Sequence, residues 1–299
     1  DDLIIGAPGN DRAYIVFGTS GAVGTNGILN ASALNGTNGF TLSGSVSDTG
    51  LSVSSAGDIN GDGIADLIVG APGAANSPGA SYVVYGGQAF GSQVDLASLD
   101  GTNGFTLTGP GGSESGYSVS SAGDVNGDGI DDLIIGGNRA DPSGRTDAGQ
   151  GYIVFGGQNF GSGFSLSSLD GNNGFIITGA DGERLGGSVS SAGDINGDGI
   201  DDLIVGAPRY GGLFNEHGAA YAVFGGQATN GELDVQNLNG TNGFRLNGFS
   251  LARAGYSVST AGDINGDGIA DLIVGARLAD DSPLSNNGQS FVVFGGQDF

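Results

Sequence analysis

Oxygen-bearing side chains recur at a fixed spacing in one ten-residue stretch, which has Gly at position 6, where the backbone must turn sharply. Positions 1, 3, 5 and 9 would supply side-chain oxygens, and position 7 would supply a backbone carbonyl: Asp58, Asn60, Asp62, Asp66 and Ile64. Hard oxygen ligands on one short loop suit a geometrically tolerant cation such as Ca²⁺ better than zinc or copper. The stretch therefore predicts a calcium loop.

The stretch occurs four times, with starts 66, 70 and 69 residues apart. The other candidate ligands are Asp124, Asn126, Asp128, Ile130 and Asp132; Asp194, Asn196, Asp198, Ile200 and Asp202; and Asp263, Asn265, Asp267, Ile269 and Asp271. A fifth copy shows only its tail, in which Asp2 aligns with Asp66. Asn-Gly and Asp-Gly turns without metal are the alternative. Four copies that keep every ligand position favour calcium.

Composition narrows the range of partners and of chemistry. The 299 residues carry 32 acidic and eight basic side chains, a net charge of −24, and every basic residue is Arg. Such a charge argues against nucleic acid and against an anionic membrane surface as partners. There is no Cys, which excludes disulfides and thiolate chemistry, and no apolar run approaches the ~18 residues that span a bilayer. Neither nucleic-acid binding nor membrane insertion is expected.

Each period contains four short strand patterns, at Gly116–Gly123, Leu133–Gly136, Gly151–Gly157 and Phe175–Gly179 in the clearest copy. Helix is expected only for about a turn near Leu96–Leu99 and its counterparts. Four antiparallel strands per repeat of ~40 residues or more describe a propeller blade. We therefore predict an all-β propeller of four-stranded antiparallel blades, with the calcium loop between strands 1 and 2. A parallel β-helix is the alternative, but its coils are far shorter.

Two further motifs recur at the same period. Phe-Gly stands at Phe17-Gly18, Phe155-Gly156, Phe224-Gly225 and Phe294-Gly295, and Gly-Ala-Pro stands at Gly6-Ala7-Pro8, Gly70-Ala71-Pro72 and Gly206-Ala207-Pro208. With the calcium loop, these motifs resemble the FG-GAP repeat of integrin α subunits and of bacterial surface and secreted proteins. The connection from Asp100 to Phe105 resembles the bacterial members. The resemblance covers the whole chain and implies a seven-bladed propeller with Ca²⁺ in a hairpin of each blade.

The chain departs from that pattern in places. Tyr85 replaces one Phe of Phe-Gly, and two repeats lack Gly-Ala-Pro. We predict one repetitive region over 1–299, with a partial repeat at 1–49, whole repeats at 50–115, 116–185 and 186–254, and a partial repeat at 255–299. These would hold 18 strands. Either five blades form a ring or, as we expect, the region belongs to a longer chain with more blades.

The antiparallel order places loops 1–2 and 3–4 on one face of the disc and loops 2–3 and 4–1 on the other. The first set is nearly copied between repeats, whereas the second set varies in length and chemistry. Only Arg245 is expected in a strand. The candidate ligand-face residues in the variable loops are Arg139, Arg145, Arg184, Arg209, Tyr210, His217, Arg253 and Arg277; Arg12 and Phe214 belong to the same loops. Two interpretations remain open: the arginines lie there only because loops are exposed, or they bind anionic groups of a partner.

No catalytic constellation is apparent, because the carboxylates at fixed positions belong to the metal loops and His217 has no repeated partner. A Glu at position 12 is absent from the loop, which predicts calcium affinity of ~10⁻⁴ to 10⁻³ M, useful only outside cells. We therefore expect a secreted or cell-surface, non-catalytic protein that serves adhesion by binding a protein or glycan on the variable loops. The alternatives are a self-assembling surface or filament component and the accessory propeller of a secreted hydrolase.

Overall fold

The computed structural model describes residues 2–18, 28–73, 77–211, 216–227, 230–249, 251–279 and 287–296. Within these residues the chain forms 21 strands in five sheets of three to five strands, joined by loops and single turns of 3-10 helix. None of the described helical turns is long and apolar enough to cross a membrane. The predicted all-β architecture is confirmed.

Each sheet is one blade of the propeller, and its strands follow chain order. Blade 1 contains β1 (Leu3–Ala7), β2 (Arg12–Val16) and β3 (Gly39–Ser43); blade 2 contains β4 (Ser52–Gly57), β5 (Asp66–Ala71), β6 (Ala80–Val84) and β8 (Gly104–Thr108). Blade 3 contains β9 (Ser118–Gly123), β10 (Asp132–Gly137), β11 (Gln150–Val154) and β13 (Gly174–Thr178). Blade 4 contains β14 (Ser188–Gly193), β15 (Asp202–Ala207), β16 (Ala219–Val223) and β18 (Gly243–Asn247); blade 5 contains β19 (Ala254–Gly262), β20 (Asp271–Ala276) and β21 (Gln289–Val293). All neighbours within these sets are antiparallel, as predicted.

Three further strands of three residues each raise the predicted 18 to 21: β7 (Gln93–Asp95), β12 (Gly163–Ser165) and β17 (Glu232–Asp234). Each lies in the connection between strands 3 and 4 of one blade but pairs in parallel with the outer strand of the preceding blade. Three residues are too few to show an alternating pattern, so the sequence does not reveal these strands. Each is followed by a 3-10 turn, of which Leu96–Ser98 confirms the helical turn expected at Leu96–Leu99.

The hydrophobic core lies between blades. Strand β10 is buried along its whole length, because Leu133 and Ile135 pack against blade 2 and Ile134 packs against blade 4. One core cluster joins Ile68 and Phe105 of blade 2 to Leu133 and Tyr152 of blade 3. Continuous apolar runs suit strands that are covered on both faces, whereas an alternating strand is covered on one. Burial between blades therefore explains the short apolar runs at the start of each second strand.

The first strands of neighbouring blades run side by side and exchange hydrogen bonds. The N–H of Val119 donates to Ser52 Oγ at 3.0 Å, and the N–H of Val258 donates to Ser188 Oγ at 3.0 Å. Glycine permits the close approach: a Cβ on Gly136 would lie 2.1 Å from the carbonyl oxygen of Gly186. Ser in the first strands and Gly136 in β10 thus serve contacts between blades.

Candidate metal loops and the opposite loop face

The side chains at positions 1, 3 and 5 of each metal loop fold toward the same backbone N–H groups. In blade 2, Asp58 Oδ1 and Asn60 Oδ1 both accept from the N–H of Asp62, at 2.9 and 2.8 Å. Asp58 Oδ2 accepts from Gly63 at 2.7 Å, and Asp62 Oδ1 accepts from the N–H of Ile64 at 2.9 Å. The oxygens that the sequence assigns to positions 1, 3 and 5 are therefore close together.

The same hydrogen bonds recur in the other three loops. The first-position carboxylates belong to Asp124, Asp194 and Asp263, and the third-position amides belong to Asn126, Asn196 and Asn265. Each fifth-position carboxylate accepts from the N–H of position 7 at 2.9 Å: Asp128 from Ile130, Asp198 from Ile200 and Asp267 from Ile269. Four loops of similar geometry follow from four nearly identical sequences.

The position-9 carboxylate points away from the loop surface and into the blade. Asp132 is fully buried, and its two oxygens accept from the N–H groups of Val125 at 3.0 Å and Gly156 at 2.9 Å. The equivalents Asp66, Asp202 and Asp271 make the same pair of bonds. Asp2 makes the second of them, accepting from Gly18 at 2.8 Å. This residue ties the metal loop to the end of the third strand.

Burial makes these inner carboxyl groups weaker acids than usual. It raises the pKa of Asp66 to about 6 and the pKa of Asp132 and Asp202 to about 7. The carboxylates at positions 1 and 5 raise the pKa further by repulsion, while the backbone N–H donors lower it. Three carboxylates within one hairpin thus repel each other, and a bound cation would remove that repulsion.

The donor set fits a hard cation such as Ca²⁺, since it consists only of carboxylate, amide and carbonyl oxygens. The convergence of positions 1, 3 and 5 agrees with that use. In the described residues, however, no three acidic or histidine side chains are arranged as a metal-binding group. The physical reason is that the position-9 oxygens are directed at backbone N–H groups, and the other ligand oxygens accept from the loop backbone.

Sequence reasoning missed the acidic residue at position 8 of two loops. Asp131 Oδ2 accepts from the N–H of Asp58 at 2.8 Å, and Asp201 Oδ2 accepts from the N–H of Asp124 at 3.0 Å. Each bond joins the loop of one blade to that of the preceding blade. The available signal was the consecutive Asp-Asp in these two repeats, where the other two complete loops have Ala65 and Ala270.

The glycine of each Phe-Gly pair is required by this arrangement. The N–H of Gly156 donates to Asp132, and a Cβ on Gly156 would lie 2.3 Å from the carbonyl oxygen of Asp131. Gly86, Gly225 and Gly295 have equally close carbonyl neighbours. Only glycine fits between the position-9 carboxylate and the backbone beside it.

The 2–3 and 4–1 loops lie together on the opposite face, as predicted. The backbone N–H of Arg184 donates to the carbonyl of Asp147 at 3.0 Å, and that of Arg253 donates to the carbonyl of Glu216 at 3.3 Å. Both arginines adopt left-handed backbone angles, with φ of 56° and 52°. Asp48 and Glu114 occupy the equivalent positions in two other repeats with the same backbone. The loops thus share a backbone and differ in the charge they carry.

Five of the predicted ligand-face arginines form ion pairs with acidic residues. The pairs are Arg139 with Glu114 at 3.3 Å, Arg145 with Asp234 at 2.5 Å, Arg184 with Asp147 at 2.8 Å, Arg209 with Glu216 at 3.6 Å, and Arg253 with Glu216. The guanidinium of Arg277 lies 4.0 Å from the centre of the Tyr256 ring, and that of Arg245 lies 4.6 Å from the Tyr210 ring. Most of these arginines are therefore already in contact with an acidic side chain or a tyrosine ring.

One cavity on this face brings four of the predicted arginines together. It has a volume of about 270 Å³ and is lined by Tyr117, Asn138, Arg184, Gly187, Pro208, Arg209, Arg253, Tyr256 and Arg277. Sequence reasoning missed both tyrosines and Asn138. The signal was the residue after the glycine that precedes each first strand: Tyr117, Gly187 and Tyr256 occupy equivalent positions, and only Gly187 lacks a side chain.

The remaining candidates lie outside that cavity. Arg139 and Arg145 lie elsewhere on the loops, in their ion pairs. Tyr210 packs against the core, and His217, expected to be exposed, is half-buried, with Nδ1 unpaired among the described residues. The expectation that only Arg245 lies in a strand is wrong, because Arg12 begins β2. Phe214 falls outside the described residues.

Comparison with known proteins agrees with the repeat. The FG-GAP repeat family matches residues 49–84, 115–154, 185–225 and 254–293, more than half of the chain. Similar proteins include Integrin alpha-V of Gallus gallus, 33% identical over 76% of this chain, and Integrin alpha-5 of Xenopus laevis, 32% identical over 74%. The chain covers 20% and 19% of those two proteins. Phosphatidylinositol-glycan-specific phospholipase D of Bos taurus is 37% identical over 38% of this chain and 13% of its own length. The chain therefore belongs to the FG-GAP repeat family and forms an integrin-alpha-like β-propeller domain.

Proposed function

We propose that this propeller is a calcium-stabilised recognition domain that acts at the cell surface or outside the cell. The observation that carries the proposal is the contrast between the two faces. One face repeats the same loop geometry in four copies, whereas the other presents loops of different length and charge. Binding residues are commonly placed on variable loops over a rigid scaffold. The similarity to integrin α subunits supports a protein as the ligand.

Calcium would stabilise the scaffold face. Asp58, Asn60 and Asp62 would hold the ion, and its charge would offset the repulsion among the loop carboxylates. A domain with Kd of ~10⁻⁴ to 10⁻³ M responds to millimolar calcium outside cells but not to cytosolic levels. At ten times Kd, each occupied site would add about 1.4 kcal/mol to the free energy of unfolding. Four sites would add several times as much.

Calorimetric titration with calcium, together with thermal melts in calcium and in excess EGTA, tests this part. We expect the melting temperature to fall by several degrees or more in EGTA. The variant Asp124→Ala should bind fewer ions and lose part of the calcium response, whereas Asp48→Ala, on the opposite face, should keep all of it. Equal melting temperatures in calcium and EGTA would disprove the calcium proposal.

Recognition would use the variable-loop face without catalysis. The carboxylates at fixed positions serve the loops, and His217 has no acidic or nucleophilic partner among the described residues. Surface plasmon resonance against purified extracellular matrix proteins, in calcium, tests recognition. Exchange of the 4–1 loop at 180–185 for its counterpart at 110–115 should abolish binding of any partner found. If binding survives this exchange and the exchange of each other variable loop in turn, the variable-loop face is not the binding surface.

A further inference from the structure

We propose that the cavity lined by four arginines binds a carboxylate side chain of a protein partner that carries one or two acidic residues. This inference rests on the proposed recognition function and names the chemistry of its ligand. The cavity lies where the first strands of blades 3, 4 and 5 begin, at the inner edge of the variable loops. Four of the eight basic residues of a chain with a net charge of −24 line it.

The local charge is positive. The described lining residues include Arg184, Arg209, Arg253 and Arg277 and no acidic side chain. Behind the wall, Asp147 pairs with Arg184, and Glu216 pairs with Arg209 and Arg253. Four positive and two negative charges leave an excess of two positive charges among these six side chains. An excess of that size suits one or two carboxylates.

The ion pairs fix the arginines without using all their donors. Arg184 gives Nε and Nη2 to Asp147, and Arg253 gives Nε and Nη2 to Glu216. Within the described part of the chain the Nη1 group of each has no acceptor and can bind another one. Both residues are also held by backbone hydrogen bonds to the same two acidic residues. Arginines held in this way lose little side-chain entropy when an anion binds.

Other hydrogen-bond donors also line the cavity. Asn138 is 7% exposed, and its Oδ1 has no hydrogen-bond partner among the described residues. Rotation of the amide by half a turn would present its NH₂ group to an anion instead. Tyr117 and Tyr256 are 38% and 46% exposed and can donate from their hydroxyls. The guanidinium of Arg277 lies over the Tyr256 ring, 4.0 Å from its centre, and this contact orients it.

The cavity exists because of one missing side chain. Gly187 stands where the neighbouring repeats have Tyr117 and Tyr256, so a gap remains between the two rings. A Cβ on Gly187 would be 3.4 Å from its nearest neighbour, Pro208 Cδ, which is an ordinary contact. The variant Gly187→Tyr therefore fills the space with the side chain that the equivalent positions carry, and Gly187→Ala is its matched control.

The volume of the cavity and the negative charge of the rest of the chain favour a protein carboxylate over a charged polysaccharide. The volume of about 270 Å³ is below the range of ~300–1,000 Å³ typical of ligand pockets and suits a single side chain. A carboxylate also matches the planar fork of arginine. A polymer with a charge on every sugar would meet the repulsion of a chain with a net charge of −24 outside this small positive region.

Nitrogen-15 spectra of the eight arginine Nε–H groups test the inference. The calcium-loaded domain is titrated with the peptide acetyl-Gly-Glu-Gly-amide and, separately, with acetyl-Gly-Gln-Gly-amide. We expect saturable shifts of the four cavity arginines with the Glu peptide and none with the Gln peptide. Gly187→Tyr and Arg277→Gln should weaken the binding at least tenfold, whereas Gly187→Ala and Arg12→Gln, whose arginine is exposed elsewhere, should leave it unchanged.

The absence of saturable shifts, or equal binding by Gly187→Tyr, would overturn the inference. Stronger saturation of the same signals by a sulfated disaccharide would replace the protein carboxylate with an acidic glycan and would also overturn it. The two proposals fail separately. A matrix protein that binds the variable loops but tolerates Gly187→Tyr and Arg277→Gln would overturn the carboxylate site and keep the recognition function. Binding of the Glu peptide at the cavity, without any macromolecular partner for the variable loops, would keep the carboxylate site and overturn the recognition function.

Discussion

The carboxylate of Asp132 accepts a hydrogen bond from the backbone N–H of Gly156 at 2.9 Å, although the two residues are 24 positions apart. Its other oxygen accepts from Val125 inside the metal loop. One buried side chain thus joins the loop, the second strand and the end of the third strand. The same connection recurs from Asp2 to Gly18 in blade 1 and from Asp271 to Gly295 in blade 5.

Removal of this carboxylate should be costly. Asp132→Ala leaves two buried N–H groups without acceptors, at about 1–3 kcal/mol each, so we expect a loss of about 2–6 kcal/mol in the free energy of unfolding. Asp132→Asn keeps one acceptor and should lose less. Urea denaturation of both variants measures the difference. An Asp132→Ala variant as stable as the wild type would contradict the linking role.

Gly156, whose N–H donates to Asp132, allows a steric test of the same arrangement. Gly156→Ala places a Cβ 2.3 Å from the carbonyl oxygen of Asp131, and we expect a loss of about 1–3 kcal/mol or more. Gly111→Ala is the matched control, because a Cβ there has no neighbour within 4 Å and its backbone is not left-handed. That variant should be neutral or slightly more stable, by up to about 1 kcal/mol. Similar melting temperatures for the two variants would contradict the packing.

The hydrogen bond that joins the metal loops of neighbouring blades, from the N–H of Asp58 to Asp131, can be removed at that position and introduced at another. Asp131→Ala deletes the acceptor of the Asp58 N–H and should cost about 1 kcal/mol. Ala270→Asp places a carboxylate at the equivalent position of blade 5, beside the loop that begins at Asp194, and should stabilise by a similar amount in calcium. Denaturation of both variants tests the bridge. A gain in stability for Asp131→Ala together with a loss for Ala270→Asp would show that charge repulsion, and not the hydrogen bond, decides the result.

A pH dependence follows from Glu183, which is 5% exposed and accepts from the Tyr221 hydroxyl at 3.0 Å. Burial raises the pKa of Glu183 above its usual 4.5. A raised carboxyl pKa means that the folded state holds the proton more tightly, so its stabilising effect is complete below the unfolded pKa and is lost as pH rises through the folded pKa. Glu183→Gln should therefore gain stability relative to the wild type as pH rises from 4 toward neutrality.

Denaturant melts of the variant and of the wild type across that pH range measure this gain. A stability difference between Glu183→Gln and the wild type that does not vary with pH would contradict the raised pKa.

The sequence predicted the blade and its repeats because those signals are local. The spacing from Asp58 to Asp66 and the apolar run at Leu133 each lie within one strand or turn. The 18 strands so predicted are present, but β7, β12 and β17 pair with a different blade and leave no pattern of their own. The number of blades in the whole array and the repeat boundaries stay predictions.

The candidate site was predicted only in part, for a similar reason. Convergence of Arg184, Arg209, Arg253 and Arg277 depends on how three blades meet, which no local pattern encodes. The metal-loop residues at positions 1, 3 and 5 come together as expected, whereas the orientation of the position-9 carboxylate depends on Gly156, which is distant in sequence.

The parallel strands β7, β12 and β17 have a consequence for how such a chain assembles. Each covers the outer edge of the blade before it, so that blade completes its sheet only after the next repeat has been made. During synthesis, a finished blade would hold an unpaired edge until about one more repeat leaves the ribosome. The smallest unit that folds with all its edges paired is therefore longer than the repeat seen in the sequence, and a truncation placed at a repeat boundary should expose an edge prone to aggregation.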